Sequence, residues 1–227
     1  MKQKTYYIRR GERQALSFIM YHEPNGLLAA VFSTIPLAMQ QHCIKVGAVA
    51  GLLAEHVPVA ALPEGLQRVD YINALRYAGF YHDIGVYLAP NRLTDYPTEG
   101  RKILENELGV DRIAEPIRRV ILEAVGCMGE RCDGLGYPKN LMEAQIPLHA
   151  SLCAIANAID AIVAGRPRRL SESAVQEINV YMRAKAGSLF LPAATDIYLR
   201  AEPQIVALYR KWKDAAPLWK YNDLTWK

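Results

Sequence analysis

The chain has 227 residues, 51% of them hydrophobic and 22% charged, enough for one compact core. Its 13 prolines and 15 glycines exclude a low-complexity chain, and a net charge of +4, from 27 basic and 23 acidic residues, is too mild to name nucleic acid as a partner. No apolar run reaches the roughly 18 residues of a membrane helix and no apolar signal core follows Met1, so we expect no membrane association and a cytoplasmic protein.

In chain order, residues 4–9 hold Thr5, Tyr6, Tyr7 and Ile8, a strand-like composition that suggests a short edge element in an N-terminal segment, 1–34. Helical periodicity dominates from about residue 27, and sustained alternation is scarce, so the fold is expected to be all-α. A helix from Leu37 aligns His42, Val46, Val49 and Leu53 on one stripe. A second, 67–82, aligns Ile72, Leu75, Gly79 and His82, which turns His82 inward beside Asp83. Residues 84–90 read as a loop.

A third helix, 111–126, places Ile113, Ile117, Val120, Ile121 and Ala124 inside, with Met128 continuing the stripe. Residues 133–138 read as a tight loop. A fourth helix, 147–164, aligns Ala150, Cys153, Ala154, Asn157 and Ala161, and leaves His149 on its outer part. Two more, 172–185 and 193–212, close the domain, the last interrupted at Pro203. The tail spaces Trp212, Trp219 and Trp226 by sevens among lysines. Cys43, Cys127, Cys132 and Cys153 show no CxxC spacing and are expected to be buried free thiols.

Two inward imidazoles and a carboxylate, His42, His82 and Asp83, suit a divalent metal that activates water against a phosphoryl group. The bland alternative is a core histidine bonded to a carbonyl and a His-Asp pair ending a helix.

The order and spacing of His42 to Val46, Tyr81 to Gly85 (HDIG), Asp133 to Pro138 (DGxGYP), Ile146 to Ala150 and Ala154 to Asp160 resemble the HD-GYP domain, a branch of the HD metal-dependent phosphohydrolases. The similarity covers about 35–199 and implies an HD-domain-like helical bundle with an HD-GYP C-terminal helical extension. The corresponding divisions are 1–34, 35–200 and 201–227. Members of this family typically hydrolyse cyclic dinucleotides with two or three iron- or manganese-like ions.

Carried over by position, the resemblance implies His42, His82 and Asp83 as metal ligands, with Asp83 also catalytic, and Asn157 as a weak carbonyl ligand where the family has a carboxylate. Arg166 and Arg169 match a phosphate-binding segment, and Asp133, Gly134, Gly136, Tyr137 and Pro138 form the signature loop. Glu130 and Asp133 are expected to anchor that loop as hydrogen-bond acceptors.

Other family positions have changed. Val86 replaces a lysine, Met128 and Gly129 replace paired histidines, and Ala38 replaces a glutamate. Glu105 stands where a histidine is usual and is a further oxygen donor for a hard cation. Three standard ligands are too few for two metals, so a full binuclear centre is not expected. The expectation is no metal, or a single iron- or manganese-like ion at low occupancy.

The reading that follows is a degenerate HD-GYP-like protein, weak or inactive as a cyclic di-GMP-type phosphodiesterase, acting as a regulatory or interaction module. The alternative is a mononuclear phosphohydrolase acting on a nucleotide or cyclic dinucleotide. Expected partners are such a nucleotide and a signalling protein.

Overall fold

A computed structural model describes residues 35–88, 95–107, 113–164 and 170–214. The edge element and segment 1–34, Arg166 and Arg169, and the tail tryptophans Trp219 and Trp226 lie outside the described residues. Among those described there are α-helices, two short 3-10 turns and two isolated bridges, with no strand, so the fold is all-α.

In chain order the helices are α1 (Leu37–Glu55), α2 (Arg68–Tyr81), α3 (Ile84–Leu88), α4 (Tyr96–Glu107), α5 (Glu115–Cys127), α6 (Leu148–Ala164), α7 (Glu172–Lys185) and α8 (Pro192–Asp214). α1 is apolar around most of its circumference, with Cys43, Val46, Val49, Ala50 and Leu53 all buried, so it takes the centre of the bundle. It packs on α2, α6 and α8, while α2 also packs on α5. Large side chains such as Tyr71, Tyr77, Leu75, Leu104 and Ile155 are fully buried, each contributing about 1.5–3 kcal/mol.

Local chemistry fixes the helix ends. Arg68, the first residue of α2, donates to the carbonyls of Glu55 (2.9 Å) and Val57 (2.8 Å), satisfying groups left open at the C-terminus of α1. Pro116 sits in the first turn of α5, where its missing N–H costs nothing, and Ser171 caps α7 by accepting from the Ala174 amide.

The sequence expectations differ from the structure in three places. Residues Ile84–Leu88 form a short helix rather than a loop, because the turn that ends α2 carries on through Val86, whose amide donates to the Asp83 carbonyl. α8 runs through Pro203 without interruption, since burial of Ala201, Ile205 and Tyr209 outweighs one missing hydrogen bond. On α6 the inner face is turned by about one residue: Asp160 is buried and Ala161 exposed, while His149 is buried rather than outward. All four cysteines are free and buried.

No helix among the described residues is long and apolar enough to cross a membrane.

Candidate metal centre

The site begins with a close helix crossing. A Cβ on Gly47 of α1 would lie 2.8 Å from the Arg76 carbonyl oxygen, and one on Gly79 of α2 would lie 2.9 Å from the Gly47 Cα. The two backbones touch because neither glycine carries a side chain. His42 lies five residues before one contact point and His82 three residues after the other, so the crossing carries both imidazoles to one place.

Each imidazole is held through Nδ1. In His82, fully buried at the end of α2, Nδ1 donates to the Gly79 carbonyl at 2.7 Å, using an acceptor that the helix end leaves open. In His42, Nδ1 donates to Asp160 Oδ2, also at 2.7 Å. The other oxygen of Asp160 accepts from the Tyr209 hydroxyl of α8 at 2.9 Å. A carbonyl and a carboxylate can only accept, so both Nδ1 atoms carry a proton, and a ring in its neutral form turns a lone pair outward at Nε2.

These lone pairs converge. The Nε2 atoms are 3.2 Å apart, and Asp83 Oδ2 lies 3.2 Å from His82 Nε2 and 3.8 Å from His42 Nε2. Three electron-rich atoms at this spacing repel unless a proton or a cation lies among them. Burial opposes a charged His82, but the Asp83 carboxylate, the Gly79 carbonyl and the charge of Asp160 together outweigh it and raise the His82 pKa above its ordinary 6.5. Burial likewise pushes Asp83 up, and the two imidazoles prevail, holding it below 3.8. The same three atoms are a metal-ready donor set, with each imidazole fixed in the correct tautomer from behind. The residues present therefore fit one divalent cation.

The remaining expected site residues are placed as follows. Asn157 is half-buried on α6 and makes no hydrogen bond to His42, His82 or Asp83 among the described residues. Glu105 is exposed on α4 and stands apart from the cluster. Met128 is buried at the end of α5. At Gly129 an added Cβ would meet the Tyr137 ring at 2.7 Å and the Tyr137 carbonyl at 2.9 Å. The signature tyrosine thus fills the space that a side chain at 129 would enter.

The signature loop is built around two acids. Buried Glu130 accepts from the amides of Lys139 (2.7 Å) and Leu141 (2.8 Å). Asp133 accepts from the Leu135 amide and from the Arg131 guanidinium, which holds its carboxyl below the usual range. A Gly134 φ of +76° and a cis Tyr137-Pro138 bond shape the turn. The Tyr137 hydroxyl donates to that of Tyr96, the first residue of α4, at 3.3 Å. Burial raises the Tyr96 pKa, the Tyr137 hydrogen bond and the Asp83 charge adding to it.

Asp160 and Tyr209 are the residues that sequence reasoning passed over. The signal was a lone carboxylate, three residues after Asn157, on a helix whose inner face is otherwise small and apolar. A buried acid in such a place needs a partner.

Residues 65–192 match the HD domain family. The chain is 28% identical over 183 residues to a cyclic di-GMP phosphodiesterase of Thermotoga maritima, covering 77% of this chain and 47% of the relative. It is 28% identical over 180 residues to the cyclic di-GMP phosphodiesterase response regulator RpfG of Xanthomonas campestris, covering 74% and 44%. A 3'3'-cGAMP-specific phosphodiesterase of Vibrio cholerae is 32% identical over 150 residues, covering 62% and 32%. The chain spans less than half the length of these relatives.

Proposed function

This chain belongs to the HD domain family, in its HD-GYP branch, and from that premise we propose that it is a degenerate member with a centre for one cation and little or no cyclic-dinucleotide hydrolysis. The observation that carries this is the donor count: His42, His82 and Asp83 converge, while Met128 and Gly129 supply no imidazole and Tyr137 fills the space beside Gly129. Two ions bridging a phosphoryl group need more donors than three. Such a protein acts by binding a nucleotide or a signalling partner rather than by turnover.

A second reading, hydrolysis of a phosphate ester at a mononuclear centre, is favoured by the preset tautomers of His42 and His82. A cation held there supplies Lewis-acid chemistry, polarising a phosphoryl oxygen and acidifying water. The rest falls to the chain itself. Asp160 and the Gly79 carbonyl hold the two rings, and Asp83 both completes the donor set and stands ready to take the proton of an attacking water.

Hydrolysis of cyclic di-GMP with manganese or ferrous iron, beside the Thermotoga maritima relative as control, separates the readings. Turnover at least a thousandfold below the control supports the degenerate reading, and comparable turnover overturns it. Hydrolysis of bis(p-nitrophenyl) phosphate that depends on added manganese and disappears in His42→Ala supports the second.

A further inference from the structure

Between α1, α6 and α8 lies a cavity of about 510 Å³ whose wall includes His42 and Asp160 but neither His82 nor Asp83. Asp160, the partner of His42 Nδ1, lines it together with Tyr209. Its volume falls within the range of small-molecule sites.

Two side chains give the cavity its chemistry. Lys45, one turn beyond His42 on α1, is 31% exposed, and among the described residues its one ion pair is with Asp160 Oδ1 at 3.9 Å. At that distance the ammonium makes no hydrogen bond to the carboxylate, whose oxygens accept from Tyr209 and His42, and it keeps its donors for a ligand. Trp212 lines the same cavity, braced edge to face against Tyr209 with ring centroids 5.3 Å apart. Met39, Ala161 and Val163 complete an apolar wall. A cation beside an aromatic shelf in a mostly apolar cavity suits a molecule with a planar ring at one end and an anionic group at the other.

We propose that this cavity binds a planar aromatic anion of the nucleotide class, with Lys45 anchoring the phosphate and Trp212 packing against the ring. Lys45 would thereby provide, from α1, a cation that Val86 cannot. The proposal deepens the reading of the preceding section and rests on it only in sharing His42 with the cation centre. It also gives the C-terminal helix a part in recognition, since Tyr209 and Trp212 both come from α8.

The test is calorimetric titration of the full chain, kept metal-free with EDTA, with guanosine 5'-monophosphate, guanosine and inorganic phosphate. The expected result is one-to-one binding of the monophosphate, at least tenfold tighter than that of guanosine or phosphate alone. Lys45→Met weakens it at least tenfold, Lys45→Arg largely restores it, and Trp212→Leu weakens it severalfold, with folding of each variant checked by circular dichroism. Absence of binding by the wild type, or equal binding by wild type and Lys45→Met, overturns the proposal. A parallel manganese titration keeps the two readings apart. Manganese binding without nucleotide binding defeats this inference alone, and nucleotide binding without manganese binding supports it while defeating the single-cation reading.

Discussion

The Nε2 atoms of His42 and His82 face each other 3.2 Å apart, because the opposite nitrogen of each ring is committed to an acceptor that cannot donate. This relationship, more than the presence of a His-Asp pair in the sequence, is what makes the place a candidate cation site. It also defines what each supporting residue does.

Tyr209→Phe removes the hydroxyl from Asp160 and leaves one oxygen of a buried carboxylate without that donor. Loss of about 1.5–3 kcal/mol is expected, since the bond is to a charged group. Urea denaturation measures it. Asp160→Ala goes further by freeing His42 Nδ1, and manganese affinity should fall roughly 10- to 100-fold, as for other residues that orient a metal-bound histidine.

Gly79→Ala forces a Cβ into the backbone of α1, so the helices must part. Destabilisation of about 1–3 kcal/mol is expected from overpacking. Because the same crossing sets the distance between His42 and His82, manganese affinity should fall with it. A loss of stability without any loss of affinity would separate the crossing from the site.

The pH dependence of the metal-free protein follows from His82 and Asp83. The His82 pKa is raised, so its contribution to stability is complete below 6.5 and is lost as pH rises through the folded value. The Asp83 pKa is lowered, so its contribution is present above 3.8 and is lost as pH falls through the folded value. The pair therefore stabilises the fold most between 3.8 and 6.5, and the denaturation midpoint in EDTA should decline as pH is raised above that window. Asp83→Asn should flatten the decline. Manganese binding runs the other way and strengthens with pH, because the cation needs neutral imidazoles.

Gly129→His restores a family residue in name alone. The new side chain meets the Tyr137 ring and carbonyl, so the variant should be less stable by about 1–3 kcal/mol and bind no additional cation. Metal analysis and thermal unfolding together check this. A second bound ion in this single variant would show that Tyr137 yields.

The sequence and the structure agree where periodicity and composition carry the signal. The stripe of His42, Val46, Val49 and Leu53 identifies α1 and its buried face, and the HDIG and DGxGYP segments point to the family and to the site's elements. What was not legible depends on rotation and on contact across the fold. Asn157 and Ala161 fit an inward stripe on α6 as well as Asp160 does, and a turn of about one residue decides among them. Gly129 reads as a missing ligand, but that Tyr137 occupies its space is a contact between residues eight apart on a folded loop. Tyr209 lies 49 residues from Asp160, and nothing local marks its hydroxyl as a partner. Continuation of α8 through Pro203 is likewise a tertiary effect, in which burial of neighbouring turns overrides a local helix breaker.

The most direct measurement is the stoichiometry of cation binding: titration of metal-free protein with manganese under anaerobic conditions, followed by native mass spectrometry, for wild type and His42→Ala. One equivalent per chain, lost in His42→Ala, is the predicted result. Two equivalents per wild-type chain, or one equivalent retained in His42→Ala, would contradict it.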